Sequence, residues 1–375
     1  MRKRRVRVFW LIKGLGPGGA ERLLVSFARV RDRDRYEYEV GYLVPEKDAL
    51  VPELEALDVP VTCLEGGAWH DLGWVRRLHS YLDKGNFQLV HAHSPLPAGM
   101  ARLVGRALPS ARRPRVLATE HNLWDRYARP TRWVNKLTAP LGVGSLSVSQ
   151  GVHDHLPSRL RRHDQVLCHG VDLDGIVAQR GEREAVRAEL GIASGEVVFA
   201  HVANFRVQKA HGDMLAAARI LLGKCENARF LLIGQGPCEE EIRATHAKLE
   251  LGERCRILGY RPDVVRVMAG CDVMVLSSVF EGMPVAVMEA LALSMPIVAT
   301  NVGGLPEMVS DGTEGFLVAP SRPEELAKAM LELAVEPGAS VLRAQMGEAA
   351  MKKSAVFDIR TTARILEDLY TDFVS

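Results

Sequence analysis

The chain has 375 residues, against a usual domain size of about 150, which implies two or three domains. With 47% hydrophobic and 25% charged residues it has ordinary globular composition, which excludes a disordered chain, a collagen-like fibre and a disulfide-stapled miniprotein. The net charge of +2 conceals an asymmetry: residues 1–170 carry 27 Lys and Arg against 17 Asp and Glu, and the remainder is acidic. The first five residues resemble the start of a signal peptide, but the apolar stretch Val8–Ile12 is too short and is cut by Lys13. No apolar run is long enough for a membrane span. The six cysteines are scattered, with no Cys-x-x-Cys pair, as suits a reduced cytoplasmic protein.

The elements alternate strand and helix from the start. Val6–Ile12 reads as a strand that ends in a glycine cluster, Gly14, Gly16, Gly18 and Gly19, before a helical period from Ala20. Further strand-like runs follow at 38–44, 59–64, 88–91, 115–119 and 145–149, with amphipathic stretches such as 72–82 and 96–108 between them. Around 170–195 the pattern breaks into charge-rich sequence, which marks a domain boundary. A second series then runs through 197–202, 230–233, 255–258, 273–276, 297–300 and 315–318, with helices expected at 214–222, 239–249 and 284–293. The last 55 or so residues read as helix. The expected architecture is α/β: two doubly wound parallel-sheet domains, residues 1–170 and 171–355. Such sheets bind ligands beyond the C-terminal ends of their strands, so two facing domains would form a cleft.

The first glycine cluster fits Gly-x-Gly-x-x-Gly after a strand and before a helix, with Glu37 and Glu39 about twenty residues on. Taken alone it proposes an NAD-dependent dehydrogenase, although Pro17 is unusual there. The second half carries a more specific segment, Glu281-Gly282-Met283-Pro284 running to Glu289. Pro284 suits a first helical turn, so Glu281 sits at a strand mouth and Glu289 about one and a half turns into the helix. Two carboxylates so placed can accept hydrogen bonds from hydroxyls on two parts of one ligand, with backbone N–H groups meeting phosphate between them. A glycosidase acid and base is the other chemistry for paired carboxylates.

This segment continues into Asn301-Val302-Gly303-Gly304-Leu305-Pro306-Glu307, and together they resemble family 4 glycosyltransferases of the GT-B fold. The resemblance spans nearly the whole chain. Gly18-Gly19-Ala20-Glu21 resembles the family's glycine loop, His169-Gly170-Val171-Asp172 its boundary motif, and Asn204 to His211 its phosphate-binding loop; Gly259-Tyr260-Arg261 and Cys271-Asp272 also fall in place. It implies two Rossmann-like domains facing across a cleft and a C-terminal helix, about 356–375, that crosses back to the N-terminal domain. It implies a retaining transfer of sugar from a UDP- or GDP-sugar, held by the C-terminal domain, to a hydroxyl of a glycan or lipid-linked acceptor held by the N-terminal one. Glycan, glycolipid or cell-surface polysaccharide synthesis is the setting.

By the same resemblance, Glu281 would contact donor-sugar hydroxyls, Glu289 the ribose, and Lys209 the diphosphate. Gly18, Gly19, Asn204, Arg206, Tyr260, Arg261, Gly282, Met283 and Pro284 complete the donor set. His121, in Thr119-Glu120-His121-Asn122 at a strand mouth, would face the transferred sugar or the acceptor. No metal is expected, and no cofactor beyond the nucleotide-sugar. Many relatives have Arg where Asn204 stands, so Arg206 would take its role or donor affinity would be lower. That departure keeps open a catalytically silent sugar-binding protein. His169 stands where Asn is usual, a change expected to bear on the hinge more than on the chemistry.

Three signals lie outside that set. His91-Ala92-His93 could ligate a metal from one strand face, but no further ligand is apparent. Asp32-Arg-Asp34 and Asp172-Leu-Asp174 spell a metal-binding pattern, and are expected to be caps or solvated charge. Trp124, Arg126, Arg129, Arg132, Trp133 and Lys136 interleave aromatics with cations. With Arg2–Arg5 they favour an anionic acceptor or a peripheral contact with an anionic membrane surface. No recognition motif for nucleic acid accompanies the charge.

Overall fold

A computed structural model describes residues 5–66 and 71–375. The chain divides into two units, Met1–Gly170 with Ile359–Ser375, and Val171–Asp358.

In unit 1 seven strands form one parallel sheet: β1 (Val6–Ile12), β2 (Tyr36–Tyr42), β3 (Val61–Cys63), β4 (Leu89–Ala92), β5 (Arg115–Glu120), β6 (Gly144–Ser147) and β7 (Asp164–Val166). Their order is β3-β2-β1-β4-β5-β6-β7, so the winding reverses between β1 and β4. The strands are near-continuous apolar runs because both faces are covered. On one face Phe9, Leu11, Val90, Ala92, Val116 and Ala118 pack under the helices Gly73–Gly85 and Pro95–Ala107. On the other, Val8, Trp10, Ile12 and Leu117 meet the helix Gly19–Val30 and the last helix, Ile359–Val374.

That last helix is anchored by its buried face, Ile359, Ala363, Leu366 and Tyr370. Tyr38 Oη donates to Glu367 Oε1 at 2.9 Å, and Trp10 Nε1 donates to Tyr370 Oη at 3.2 Å.

Unit 2 holds six parallel strands: β8 (Val197–Val202), β9 (Ala228–Ile233), β10 (Cys255–Gly259), β11 (Val273–Leu276), β12 (Ile297–Thr300) and β13 (Gly315–Val318). Their order is β10-β9-β8-β11-β12-β13, with the reversal between β8 and β11.

The structure corrects the sequence reading in places. β7 has no counterpart in the predicted strands: it is three residues long and mostly exposed, and is held through its one buried residue, Asp164, which accepts from Ser145 Oγ and pairs with His153 Nδ1 at 2.7 Å. The charge-rich stretch that follows the division at residue 170 is itself structured, as two helices of unit 2, Leu173–Ala178 and Arg183–Glu189. Its charges serve packing. Arg183 and Arg187 clamp Asp272 at 2.6 and 3.4 Å, and that carboxylate also accepts from Val198 N at 2.7 Å, tying this helix to the start of β8. Both acidic triplets cap backbone: Asp32 Oδ1 accepts from Asp34 N and Arg35 N, and Asp172 caps the helix that follows it.

Candidate active site

In unit 2 the chemistry gathers where the sheet order reverses, the position at which an open α/β sheet leaves a crevice. The loop after β8 carries Asn204, Arg206 and Lys209, and the loop after β11 carries Ser277 to Pro284. Lys209 Nζ donates to Glu281 Oε1 at 2.5 Å, and Ser278 Oγ donates to the same oxygen at 2.5 Å. Only 14% and 6% of the two charged side chains remains accessible. The loops are stitched together: Ser277 Oγ donates to Lys209 O at 2.8 Å, and Val279 N to Gln208 O at 2.9 Å. Gly282, Met283 and Pro284, which follow Glu281, are buried, and Pro284 stands at the N-cap of the helix Val285–Ala292, which carries Glu289.

Two glycine pairs make this packing possible. Gly303 has φ +55°, and a Cβ there would lie 1.9 Å from Glu281 O, so only glycine lets the chain after β12 lie against the Glu281 backbone. Gly304 N then donates to Gly282 O at 3.0 Å. Gly303→Ala is therefore expected to lose at least about 2 kcal/mol of stability together with activity; a thermal midpoint within a degree of wild type would refute this account. The second pair, Gly234 and Gly236, was not singled out in the sequence. A Cβ at either would strike the backbone oxygens of Ala203 or Phe205, at 2.0 and 2.4 Å, so the turn after β9 lies directly against the Asn204 loop. The run Gly234-Gln-Gly-Pro directly after a strand was the signal that could have revealed it.

The other predicted donor residues are placed differently. Tyr260 is partly exposed beside this turn, since Gly234 N donates to Gly259 O at 2.9 Å. Arg206 is exposed. Arg261 is committed to Asp263 and Glu189 at 2.7 and 3.0 Å, and those carboxylates hold its guanidinium more firmly charged than usual. Gly18 and Gly19 belong to unit 1, where Gly19 opens the helix after β1 and Glu21 folds back over Gly18.

In unit 1 the ends of β4 and β5 bring four histidines into a row. The rings of His91 and His93 lie 4.1 Å apart, His93 and His121 5.7 Å, and His121 and His169 4.9 Å, the last pair stacked. His91 is fixed at both nitrogens, by Tyr370 Oη at 2.5 Å and Thr119 Oγ1 at 2.6 Å. Because Trp10 can only donate to Tyr370, the pattern that satisfies every atom has Tyr370 donating to His91 Nδ1, which puts the imidazole proton on Nε2. His169 Nε2 shares one proton with His121 Nδ1 across 3.1 Å. His121 Nε2 and His93 Nε2 are buried with no partner, and are the atoms left to meet a ligand. Desolvation pushes His121 down to about 4 and His91 to about 3, and lowers His93 and His169 well below the ordinary histidine range. The row is therefore neutral at pH 7. His169 is a member of this site, beyond the hinge role read from the sequence. Among the described residues no group of three or more His, Cys, Asp or Glu is placed to hold a metal ion.

The basic-aromatic segment divides. Trp124 is 6% exposed and packs edge-on against Tyr127, and it lines an open pocket together with Arg129, Arg132, Trp133 and Lys136. Trp133 and Leu137, on the helix Arg129–Thr138, are 62% and 71% exposed, with Lys136 Nζ 5.7 Å from the centre of the Trp133 ring. Arg126 and Arg129 are exposed, and Arg132 pairs with Asp125 at 3.3 Å. Arg2 and Arg4 lie outside the described residues. Among those described, no helix is long and apolar enough to cross a membrane.

Two family models match the chain, "Glycosyltransferase Family 4" over residues 17–174 and "Glycosyl transferases group 1" over 182–353. A galactosyltransferase of Escherichia coli, named for UDP-Gal and GlcNAc-diphosphoundecaprenol, is 23% identical over 342 residues, 88% of this chain and 87% of that protein. The putative glycosyltransferase EpsD of Bacillus subtilis is 24% identical over 81% of each chain. HepE of Anabaena, solved in complex with UDP and glucose, superposes with a TM-score of 0.83 at 21% identity over 98% of this chain and 100% of that one. With matched models spanning both units, two doubly wound parallel sheets and a Lys–Glu pair at the switch point of the second, the chain belongs to glycosyltransferase family 4 and is a glycosyltransferase of the GT-B fold.

Proposed function

We propose that the protein transfers a sugar, with retention of anomeric configuration, from a nucleoside-diphosphate sugar bound in unit 2 to a hydroxyl of a glycan or lipid-linked glycan bound in unit 1. The observation that carries this reading is the buried Lys209–Glu281 pair on its glycine-built floor. Without ligand the lysine neutralises the carboxylate. A bound donor would take the ammonium onto its diphosphate, where negative charge grows as the glycosidic bond breaks, and free Glu281 to accept from sugar hydroxyls. Glu289 would receive the ribose hydroxyls. His121, neutral and with Nε2 free, would hydrogen-bond the transferred sugar. Retention is carried over from the family, and a front-face route, in which the leaving diphosphate takes the acceptor proton, suits a site in which no covalent nucleophile is identified.

UDP-sugar is the favoured donor class, supported by the names of the relatives above, and GDP-sugar is the alternative. A thermal-shift panel with UDP, GDP and ADP and their sugars, with and without Mg²⁺, decides between them. A nucleotide at about 100 times its Kd adds roughly 2.7 kcal/mol to the folded state. One nucleotide is expected to raise the midpoint selectively, with the effect lost in Glu289→Ala. No response to any of them sinks the donor assignment.

The exposed Trp133–Leu137 face amid Arg126, Arg129 and Lys136 supports a peripheral contact with an anionic membrane surface, where a lipid-linked acceptor would be met. Sedimentation with phosphatidylglycerol vesicles at low salt is expected to carry the protein down, and Trp133→Ala/Leu137→Ala to leave it in the supernatant. Equal sedimentation of the two forms refutes the contact.

A further inference from the structure

On the sheet face of unit 1 away from the last helix lies a cavity that the histidine row does not use and that shares only Lys136 with the surface around Trp133. It has a volume of about 200 Å³, room for several waters at about 30 Å³ each. Its inner wall is formed by Arg102, Glu120 and Asn135, all at least nine-tenths buried. Lys136, Arg159 and His163 stand exposed at its rim.

The inner wall is incompletely bonded. Arg102 Nη1 donates to Asn135 Oδ1 at 3.0 Å, and Asn135 spends its own amide on the carbonyls of Pro95 and Thr131 at 2.7 and 3.0 Å. Arg102 Nε is buried and has no partner, and the same holds for Glu120 Oε2. Orphaned buried donors and acceptors are rare, because each costs about 1–3 kcal/mol unless something in the cavity satisfies it. Both atoms belong to residues that line this one cavity, and among the described residues no ion pair joins them. Burial holds the Glu120 carboxyl above its ordinary range, against the lowering effects of the Tyr127 hydroxyl and Arg102. Against it stand Arg102, Lys136 and Arg159.

We propose that this cavity binds a phosphate group borne on a hydroxylated molecule. The phosphate oxygens would accept from Arg102 Nε and from the rim cations Lys136 and Arg159, and a ligand hydroxyl would donate to Glu120 Oε2. Arginine is suited to this task because its planar donors match phosphate oxygens. The geometry serves a phospholipid headgroup and a soluble phosphate ester alike; what they share is a phosphate next to a hydroxyl.

Titration calorimetry of the full chain with glycerol 3-phosphate and with inorganic phosphate tests the proposal, alongside sedimentation with phosphatidylglycerol vesicles in the presence and absence of glycerol 3-phosphate. Glycerol 3-phosphate is expected to bind. Lys136→Ala/Arg159→Ala, both rim positions whose loss leaves the core intact, is expected to weaken it at least tenfold. Glu120→Gln, nearly the same shape, is expected to weaken it about threefold and leave inorganic phosphate unchanged. Thermal unfolding of each variant, with its nucleotide response, shows whether the fold and the unit 2 site survive. Competition by glycerol 3-phosphate against vesicle binding assigns the headgroup as the source, and binding of both soluble probes without such competition assigns a soluble ester. If neither soluble probe binds, the cavity holds water and the proposal is overturned. Binding that persists unchanged in the rim variant overturns it equally.

Discussion

Lys209→Met is expected to lower glycosyl transfer by 10²-fold or more, a loss of at least about 2.7 kcal/mol of transition-state stabilisation. Among the described residues the ammonium is the one cation seen touching Glu281, and the two are largely withdrawn from solvent. Removing it alone also leaves a buried carboxylate without its partner, which by itself costs about 3–5 kcal/mol of stability. Glu281→Ala suffers the same ambiguity in reverse, since it strands the lysine. The informative comparison is therefore the double variant Lys209→Met/Glu281→Gln. It removes both charges, keeps the side-chain volumes and leaves an amide at position 281 within reach of Ser278 Oγ. Replacing a buried ion pair by neutral groups of similar size is often close to neutral for stability. The double variant should thus unfold near the wild-type temperature while transfer stays lost. Recovery of transfer to within tenfold of wild type in the double variant would remove the pair from the chemistry.

Acid should destabilise unit 1 at a pH where most folded proteins still hold. The four histidines of the row are depressed in the folded state, to about 4 for His121 and about 3 for His91, whereas in the unfolded chain each titrates near 6.5. Between those values the unfolded state binds more protons than the folded one, so stability falls as pH falls. The window opens near pH 6.5 and extends to about pH 4 for His121 and about pH 3 for His91, and His93 and His169 are depressed in the same direction. Each histidine contributes about 1.4 kcal/mol per pH unit inside its own window, a steep slope against a stability of about 5–15 kcal/mol. His201 and His211 of unit 2 are depressed as well, by burial first and then by neighbouring positive charge, and steepen the same slope. The measurement is a thermal midpoint from pH 8 to pH 4. A midpoint flat down to pH 5 would mean that the rings are hydrated and protonate in place. Replacing His169 by Asn removes one of the four and should reduce the slope.

The strands of unit 2 were readable almost to the residue, since β8, β11, β12 and β13 are short, mostly apolar runs bounded by glycine, proline or polar residues, as strands covered on both faces are. β7 escaped because it is three residues long and its one buried residue, Asp164, is polar. The segment Glu281 to Glu289 was legible because its chemistry lies in one contiguous stretch. The histidine row was not: its members lie at 91, 93, 121 and 169, and only the parallel register of β4 and β5, with the chain returning past β6, stacks them. For Trp124 and Arg261 the structure adds partners that the sequence reading did not name: Tyr127 for the tryptophan, Asp263 and the distant Glu189 for the arginine. The orphaned nitrogen of Arg102 is a property of packing that no sequence pattern encodes.

The anchoring of the last helix sets an order of events during synthesis. Tyr370 and Glu367 close onto Trp10, Tyr38 and His91, yet all of residues 171–358 are made in between. At roughly 5–20 residues per second the nascent N-terminal sheet waits on the order of 10–40 s with Trp10, Leu24 and Phe27 lacking their cover. Unit 2 is complete before unit 1 is. A ribosome that stalls or terminates near residue 358 would therefore release a chain with its second domain intact and an apolar face open on its first. Residues 359–375 are thus the part of unit 1 that is made only after unit 2.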